Sequence, residues 1–221
     1  LRSSVLIQTE NQNIVIDAGP DFRYQMLRSG ISHLDAILLT HEHKDHVGGL
    51  DDIRAFNHTQ KKPTEIYAEK RVLKAIKEHE FAYVFAEKKY PGIPQMNLNP
   101  IENQPFKIGD TEIIPIRGIH HTLKVFGFRI QNFAYLTDMN HLPTEERTKL
   151  QGLDTLVITA LRIQPHISHF CLEESLEIIA ELKPKQAFLT HMSHNIGFHA
   201  QISKELSDGV LPAYDNLILE F

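Results

Sequence analysis

The stretch Ala36-Ile37-Leu38-Leu39-Thr40-His41-Glu42-His43-Lys44-Asp45-His46-Val47-Gly48-Gly49 decides how the rest of the chain is read. Ala36 to Leu39 is a continuous apolar run bounded by polar residues, which predicts a fully buried strand. It delivers the chain straight into His41. His41, His43, Asp45 and His46 then place four candidate metal ligands within six residues. That density does not fit one face of a regular helix or strand, so it calls for a tight loop at a strand end. From such a loop His41 and His43 can reach one ion, and the adjacent Asp45 and His46 a second. Two divalent ions about 3.5–4 Å apart would hold a hydroxide between them. The bland alternative is a solvated polar loop. An apolar strand followed by H-x-H-x-D-H and Gly-Gly is far more specific than a lone H-x-H.

Composition points the same way. The chain has 221 residues, 42% hydrophobic and 23% charged, an ordinary globular mixture sized for one domain spanning 1–221. Fourteen histidines and no tryptophan are unusual, and the histidines cluster at 41/43/46, 120/121, 166/169 and 191/194/199. Imidazole is the commonest metal ligand and the usual acid–base group near neutral pH. A single cysteine, Cys171, excludes a disulfide framework and any all-cysteine metal site. Twenty-three basic against 28 acidic residues give a net charge of −5, which disfavours a globally basic nucleic-acid binder. The longest apolar run, Phe81 to Ala86, is too short for a membrane-spanning helix, so no membrane partner is expected. The chain begins at Leu1, and an N-terminal segment is expected to be missing.

The coarse pattern predicts strands at Val5–Ile7, Asn13–Ile16, Ala36–Leu39, Ile66–Ala68, two within Phe106–Arg117, Val125–Ile130, Phe133–Leu136, Thr155–Ile158, Gln186–Leu189 and Leu217–Phe221. Helices are expected from an Asp21 cap to about Leu27, over Leu50–Asn57, Lys70–His79, Thr144–Leu150, Leu172–Leu182 and Ala200–Leu206. Residues 88–104, rich in Pro, Gly and Asn, read as a long loop of the kind that shapes a binding site. Hairpins early and strand–helix alternation later predict an α+β fold, an αββα four-layer sandwich.

At this point the sequence resembles a family. His41-x-His43-x-Asp45-His46 matches the signature of the metallo-β-lactamase superfamily, and Tyr135-Leu136-Thr137-Asp138 and Leu189-Thr190-His191 look like its later ligand motifs. The resemblance covers nearly the whole chain. It implies a dinuclear site of two divalent ions, zinc or manganese. His41, His43 and one of His120/His121 would bind the first, Asp45, His46 and His191 the second, and Asp138 both. In relatives the third histidine precedes a Gly-aromatic pair, here Gly127-Phe128, by six or seven residues. The local run Pro115–Ile119 resembles the seven-residue version, which favours His120 with His121 as the alternative.

Such a site suits hydrolysis of phosphodiesters, thioesters, lactams or lactones. Expelling an alkoxide benefits from a general acid, and His169, ahead of the helix at 172–182, is the candidate, with His166 as its alternative. Phosphodiesterases of this superfamily, both the tRNA 3′-processing and the PhnP-like types, carry a histidine at about this place. Asp17-Ala18-Gly19-Pro20-Asp21-Phe22-Arg23 resembles the opening motif of the PhnP-like branch, and Gly209 and Tyr214-Asp215 look like it too. By that analogy Asp17 sits behind the metal loop and hydrogen-bonds a ligand, while Arg23 supports the site or pairs with a phosphate. His194 is a weaker candidate for touching the substrate phosphate.

The branch also carries a Gly-rich strand and a small cysteine cluster ahead of the segment matching Arg2-Ser3-Ser4, which this chain does not include. Lys61-Lys62 and Lys88-Lys89 read as solvated charge pairs, not as a tRNA-gripping arm. The expectation is therefore a cytoplasmic phosphodiesterase acting on a small or cyclic phosphodiester through a bridging hydroxide, with Asp45 and His169 as its catalytic residues. A homodimer is compatible with it. The rivals are a tRNA 3′-end endonuclease and a thioesterase or lactonase of glyoxalase type.

Overall fold

The computed structural model describes residues 1–88 and 90–221. Lys89, half of one expected charge pair and part of the expected long loop, lies outside them. The chain divides into two compact units, Leu1–Glu102 and Asn103–Phe221.

The first unit is built on a five-stranded sheet in sequence order: β1 (Val5–Gln8), β2 (Asn13–Ile16), β3 (Ala36–Leu38), β4 (Thr64–Glu69) and β5 (Met96–Ile101). Only β1 and β2 form a hairpin; the later neighbours run parallel. Helix α1 (Phe22–Ser29) joins β2 to β3, and α2 (Lys44–Val47) and α3 (Arg54–Gln60) lie between β3 and β4. Helix α4 (Lys70–Ala75) follows β4 and passes into a π-turn at Ile76–Glu80. β2 and β3 are buried along their whole length, as a parallel strand covered on both faces must be. Val15 of β2 and Ile37 of β3 join Phe22, Leu50, Ile53 and Val72 in one core.

The second unit holds a seven-stranded sheet ordered β12-β11-β10-β9-β8-β7-β6. Its first four strands, β6 (Phe106–Ile108), β7 (Thr111–His120), β8 (Leu123–Ile130) and β9 (Phe133–Leu136), form an antiparallel meander. β10 (Thr155–Thr159), β11 (Gln186–Thr190) and β12 (Val210–Pro212) then add in parallel. The connections carry α5 (Thr144–Arg147), α6 (Leu172–Leu182) and α7 (His199–Glu205). Helix α6 starts where the Cys171 N–H donates to the Glu174 carboxylate at 2.8 Å, and it lays Ile178, Ile179 and Leu182 on the core. Among the described residues no helix is long and apolar enough to cross a membrane.

Several expectations need correction. The long loop at 88–104 ends in β5, which completes a parallel register with β4 from Thr64↔Met96 to Glu69↔Ile101. Pro100 and two asparagines hide that strand in the sequence. They are tolerated because β5 is an edge with β4 as its only partner in the sheet. The expected strand at Leu217–Phe221 does not form. The last strand is Val210–Pro212, and the tail instead stacks Phe221 on Phe133 with ring centroids 4.9 Å apart. The helix expected at Leu50–Asn57 is a 3₁₀ turn, Leu50–Ile53, followed by α3. Asp21 stands at the N-cap of α1 but does not cap it; its carboxylate accepts from the Arg2 N–H at 2.7 Å.

Candidate metal centre

In the first unit β3 runs out through Leu39 and Thr40 into the histidine loop, and α2 turns the loop back at once. Three imidazoles are thereby pressed together, with ring centroids 4.5 Å apart for His41 and His43 and 4.3 Å for His41 and His46. His41 and His46 are buried, whereas His43 is exposed. Behind them lies Asp17, fully buried and held at φ 62° where β2 ends. Its carboxylate accepts from the Thr40 N–H at 2.9 Å, from the Thr40 hydroxyl at 2.9 Å and from His46 Nδ1 at 2.7 Å. The Thr40 hydroxyl lies 3.0 Å from His41 Nδ1. One carboxylate thus organises two imidazoles, each tied through Nδ1, which leaves Nε2 as the nitrogen that could ligate an ion. The two backbones also touch: a Cβ on Gly19 would lie 2.1 Å from the Asp45 carbonyl oxygen, and one on Gly49 would lie 2.1 Å from that of Gly19. Only glycine allows this loop to seat on the Asp17–Pro20 turn.

The second unit assembles its donors from strand ends. His120 closes β7, Asp138 follows β9 and His191 follows β11. Asp138 and His191 adopt φ of 52° and 53°, left-handed conformations that re-aim a side chain just past a strand. The Asp138 carboxylate accepts from the Thr137 hydroxyl at 2.9 Å and lies 3.0 Å from His191 Nε2. His120 Nδ1 donates to the Ser168 carbonyl at 2.6 Å. The His169 ring stands 4.5 Å from that of His120 and 5.1 Å from that of His191. Ligand atoms of Asp138, His169 and His191 lie within 4.8 Å of one another. His169 is therefore near enough to act as a ligand as well as a proton donor.

The backbone places the two adjacent histidines differently. His120 is the last paired residue of β7 and is buried beside His169, whereas His121 occupies the turn at φ 59° and is exposed. His166 also joins the group, its ring 5.2 Å from that of His169. Arg23 is exposed on α1 and faces Asp52 at 3.6 Å. His194 is exposed in the 3₁₀ turn His194–Ile196. Sequence reasoning missed Thr40, Ser168 and Asn140, which hold the ligand-bearing segments. It also missed the ion pair between Arg71 and Glu42, which braces the loop between His41 and His43. Thr40 carried a signal, as the one polar residue between strand and motif; the others had none.

This donor set fits divalent ions. Imidazole nitrogens and carboxylate oxygens are the ligands zinc and manganese accept. His46 and His120 each spend Nδ1 on a fixed protein oxygen, as ligating histidines do. His169 differs. Its Nδ1 is buried with no hydrogen-bond partner among the described residues. Burial, with the neighbouring imidazoles His191, His120 and His166, outweighs the opposing pull of Asp138 and lowers its pKa to about 4. In the ion-free chain His169 is thus neutral at pH 7.

Comparison with known proteins agrees with this geometry. The family model described as the β-lactamase superfamily domain matches residues 12–192. A solved diphosphatase of the PhnP family is 35% identical, with a TM-score of 0.93, over 100% of this chain and 84% of that one. The metallo-β-lactamase fold protein YhfI of Bacillus subtilis (19% identical, TM-score 0.79, 97% of this chain and 88% of that one) shares the fold. So does the short form of human tRNase Z (19% identical, TM-score 0.70, 99% and 92%). A Porphyromonas gingivalis protein named octanoyltransferase is 38% identical over 98% of this chain, which spans only 44% of that relative's length. The model matches most of the chain and the PhnP-family diphosphatase is similar from end to end, so the chain belongs to the metallo-β-lactamase superfamily, within its PhnP family, and has the fold of its metal-dependent hydrolases.

Proposed function

We propose that residues 1–221 form one hydrolase domain that cleaves a small or cyclic phosphodiester in the cytoplasm. The observation that carries this reading is His169, a buried imidazole set against His120, His191 and Asp138 with no side-chain partner of its own at Nδ1. Acyl transfer from a thioester has a good leaving group and no need of it, whereas an alkoxide leaving phosphorus needs a proton. His41, His43 and His120 would hold one divalent ion, Asp45, His46 and His191 a second, and Asp138 both. When bound, such ions acidify water and offset charge developing on the phosphoryl oxygens.

The chain's own groups do the rest. Asp17 and Thr40 fix the imidazoles of the first unit, and the Ser168 carbonyl fixes His120. His169 is neutral in the free protein, so it takes up a proton from solvent when the substrate binds. A phosphate anion a few ångströms away favours the imidazolium and raises the pKa toward working pH. The protonated ring then gives its proton to the departing oxygen. His194 is the candidate for touching a phosphate oxygen.

One second reading has an observation behind it. The similar PhnP-family protein is a diphosphatase, and a phosphoric anhydride has a leaving group that is itself a stable anion. A substrate panel separates the readings: bis-p-nitrophenyl phosphate, an alkyl phosphodiester, a diphosphate diester, a thioester and a lactone, each with Mn- or Zn-loaded protein. The proposal expects both diesters to turn over and His169→Ala to stop only the alkyl one. Turnover of the anhydride alone selects the second reading, and turnover of the thioester or lactone alone overturns both.

A further inference from the structure

We infer that Asn140 is the positioning residue for His169. The inference rests on the reading of His169 as proton donor. His169 sits in an irregular segment between β10 and α6, and its Nδ1 has no partner to aim the ring. With the ring packed among His120, His166 and His191, its aim depends on where the backbone on either side sets it. Besides bonds within its own segment, such as that from the Leu161 N–H to the Phe170 carbonyl at 3.0 Å, three ties reach that backbone from elsewhere. The Asn140 side-chain amide donates to the Ile167 carbonyl at 3.0 Å, His120 Nδ1 donates to the Ser168 carbonyl at 2.6 Å, and the Phe170 N–H donates to the Met139 carbonyl at 2.6 Å. Two of the three ties come from Met139-Asn140, directly after Asp138.

The other end of the Asn140 side chain is also engaged. Its Oδ1 accepts from the His121 N–H at 2.8 Å, in the turn that follows His120. The Asn140 N–H separately donates to the Ile119 carbonyl at 2.8 Å. One amide thus bridges the β7–β8 turn, the Asp138 loop and the His169 segment. An amide suits this place because it must accept on one side and donate on the other. Asp in its place would keep the bond from His121 and set an oxygen against the Ile167 carbonyl, so it breaks only the arm that reaches His169. The backbone ties survive either substitution, so the fold and the ligand segments stay in place.

The test compares wild type with Asn140→Ala, Asn140→Asp, His169→Ala and the Asn140→Ala/His169→Ala double variant. Ion-loaded protein is assayed on methyl p-nitrophenyl phosphate and methyl phenyl phosphate, whose leaving groups differ in their need for a proton. Amide hydrogen exchange at 167–170 is followed in ion-free protein. Both Asn140 variants should widen the rate ratio between the two esters by about 10- to 100-fold, the cost of a misplaced catalytic group. The double variant should match His169→Ala, and exchange at Ser168 and His169 should speed up. A wild-type ratio in the Asn140 variants, with His169→Ala itself widened, overturns the inference and leaves the proton donor standing. If His169→Ala leaves the ratio unchanged, the proton-donor reading falls instead, and unaltered exchange in Asn140→Ala would then overturn the bridge as well.

Discussion

The two donor sets that the proposal assigns to one centre are made in opposite ways. In the first unit four donors lie within six residues, and a single buried carboxylate, Asp17, anchors two of them, His41 and His46, from behind. In the second, His120, Asp138, His169 and His191 come from four separate segments, and mainly backbone carbonyls and amides hold them. A local loop can be held by one side chain because its donors are already covalent neighbours. A dispersed set has no such neighbour relation, so it relies on strand ends in register and on short ties between loops. The lesson is that, in metal affinity, the first set should be fragile at one point and the second tolerant at any single tie but exacting about each donor.

The largest expected effect ignores that difference. Asp45→Ala and Asp138→Ala, one from each half, should each lower diester turnover by roughly 10³-fold or more, since each removes a ligand. Steady-state rates check this, and survival of either variant at near wild-type rate would remove that half from the reaction. Next, His169→Ala should cost about 10²- to 10⁴-fold on an alkyl diester with metal content unchanged. Loss of an ion in that variant, measured by elemental analysis, would make His169 a ligand, which its distance to Asp138 and His191 allows.

The comparison sharpens at Asp17. Asn accepts a positive φ, so Asp17→Asn keeps the backbone and an acceptor for the Thr40 N–H, but sets an NH2 against His46 Nδ1 and the Thr40 hydroxyl. Metal affinity in an equilibrium titration should fall by about 10- to 100-fold. No single backbone tie of the second half has a counterpart of that size.

A smaller effect concerns pH. His169 has a folded pKa near 4, below the ordinary 6.5, so the unfolded chain binds its proton first as pH falls. Its contribution to stability is intact above pH 6.5 and is lost between 6.5 and 4. Ion-free wild type should show that decline in thermal melts, and His169→Gln should show less of it. The smallest effect is at His121, exposed in its turn, where Asn is expected to change turnover by no more than about twofold, as for an ordinary surface substitution.

How much could be read from sequence follows the same division. The histidine loop was legible because strand, ligands and Gly-Gly are contiguous. Helix α6 was legible from the apolar residues spaced along Leu172–Leu182. His120 against His121 was not legible, because the answer depends on where β7 stops pairing and the chain turns at φ 59°. β5 was hidden by a proline that only an edge strand tolerates. The tail at 217–221 misled because its apolar run Leu217-Ile218-Leu219 imitates a buried strand, while the neighbour place on β11 is taken by Val210–Pro212. Asn140 left no trace in sequence, since its role exists only once three loops meet.

The most direct measurement is a titration of manganese or zinc into ion-free protein, with bound metal and diester hydrolysis followed together. The account predicts two ions per chain, turnover rising as they bind, and a lowered stoichiometry in both Asp45→Ala and Asp138→Ala. Full turnover in chelator-treated protein, or a stoichiometry that responds to only one of the two variants, would contradict the claim that the two halves serve one centre.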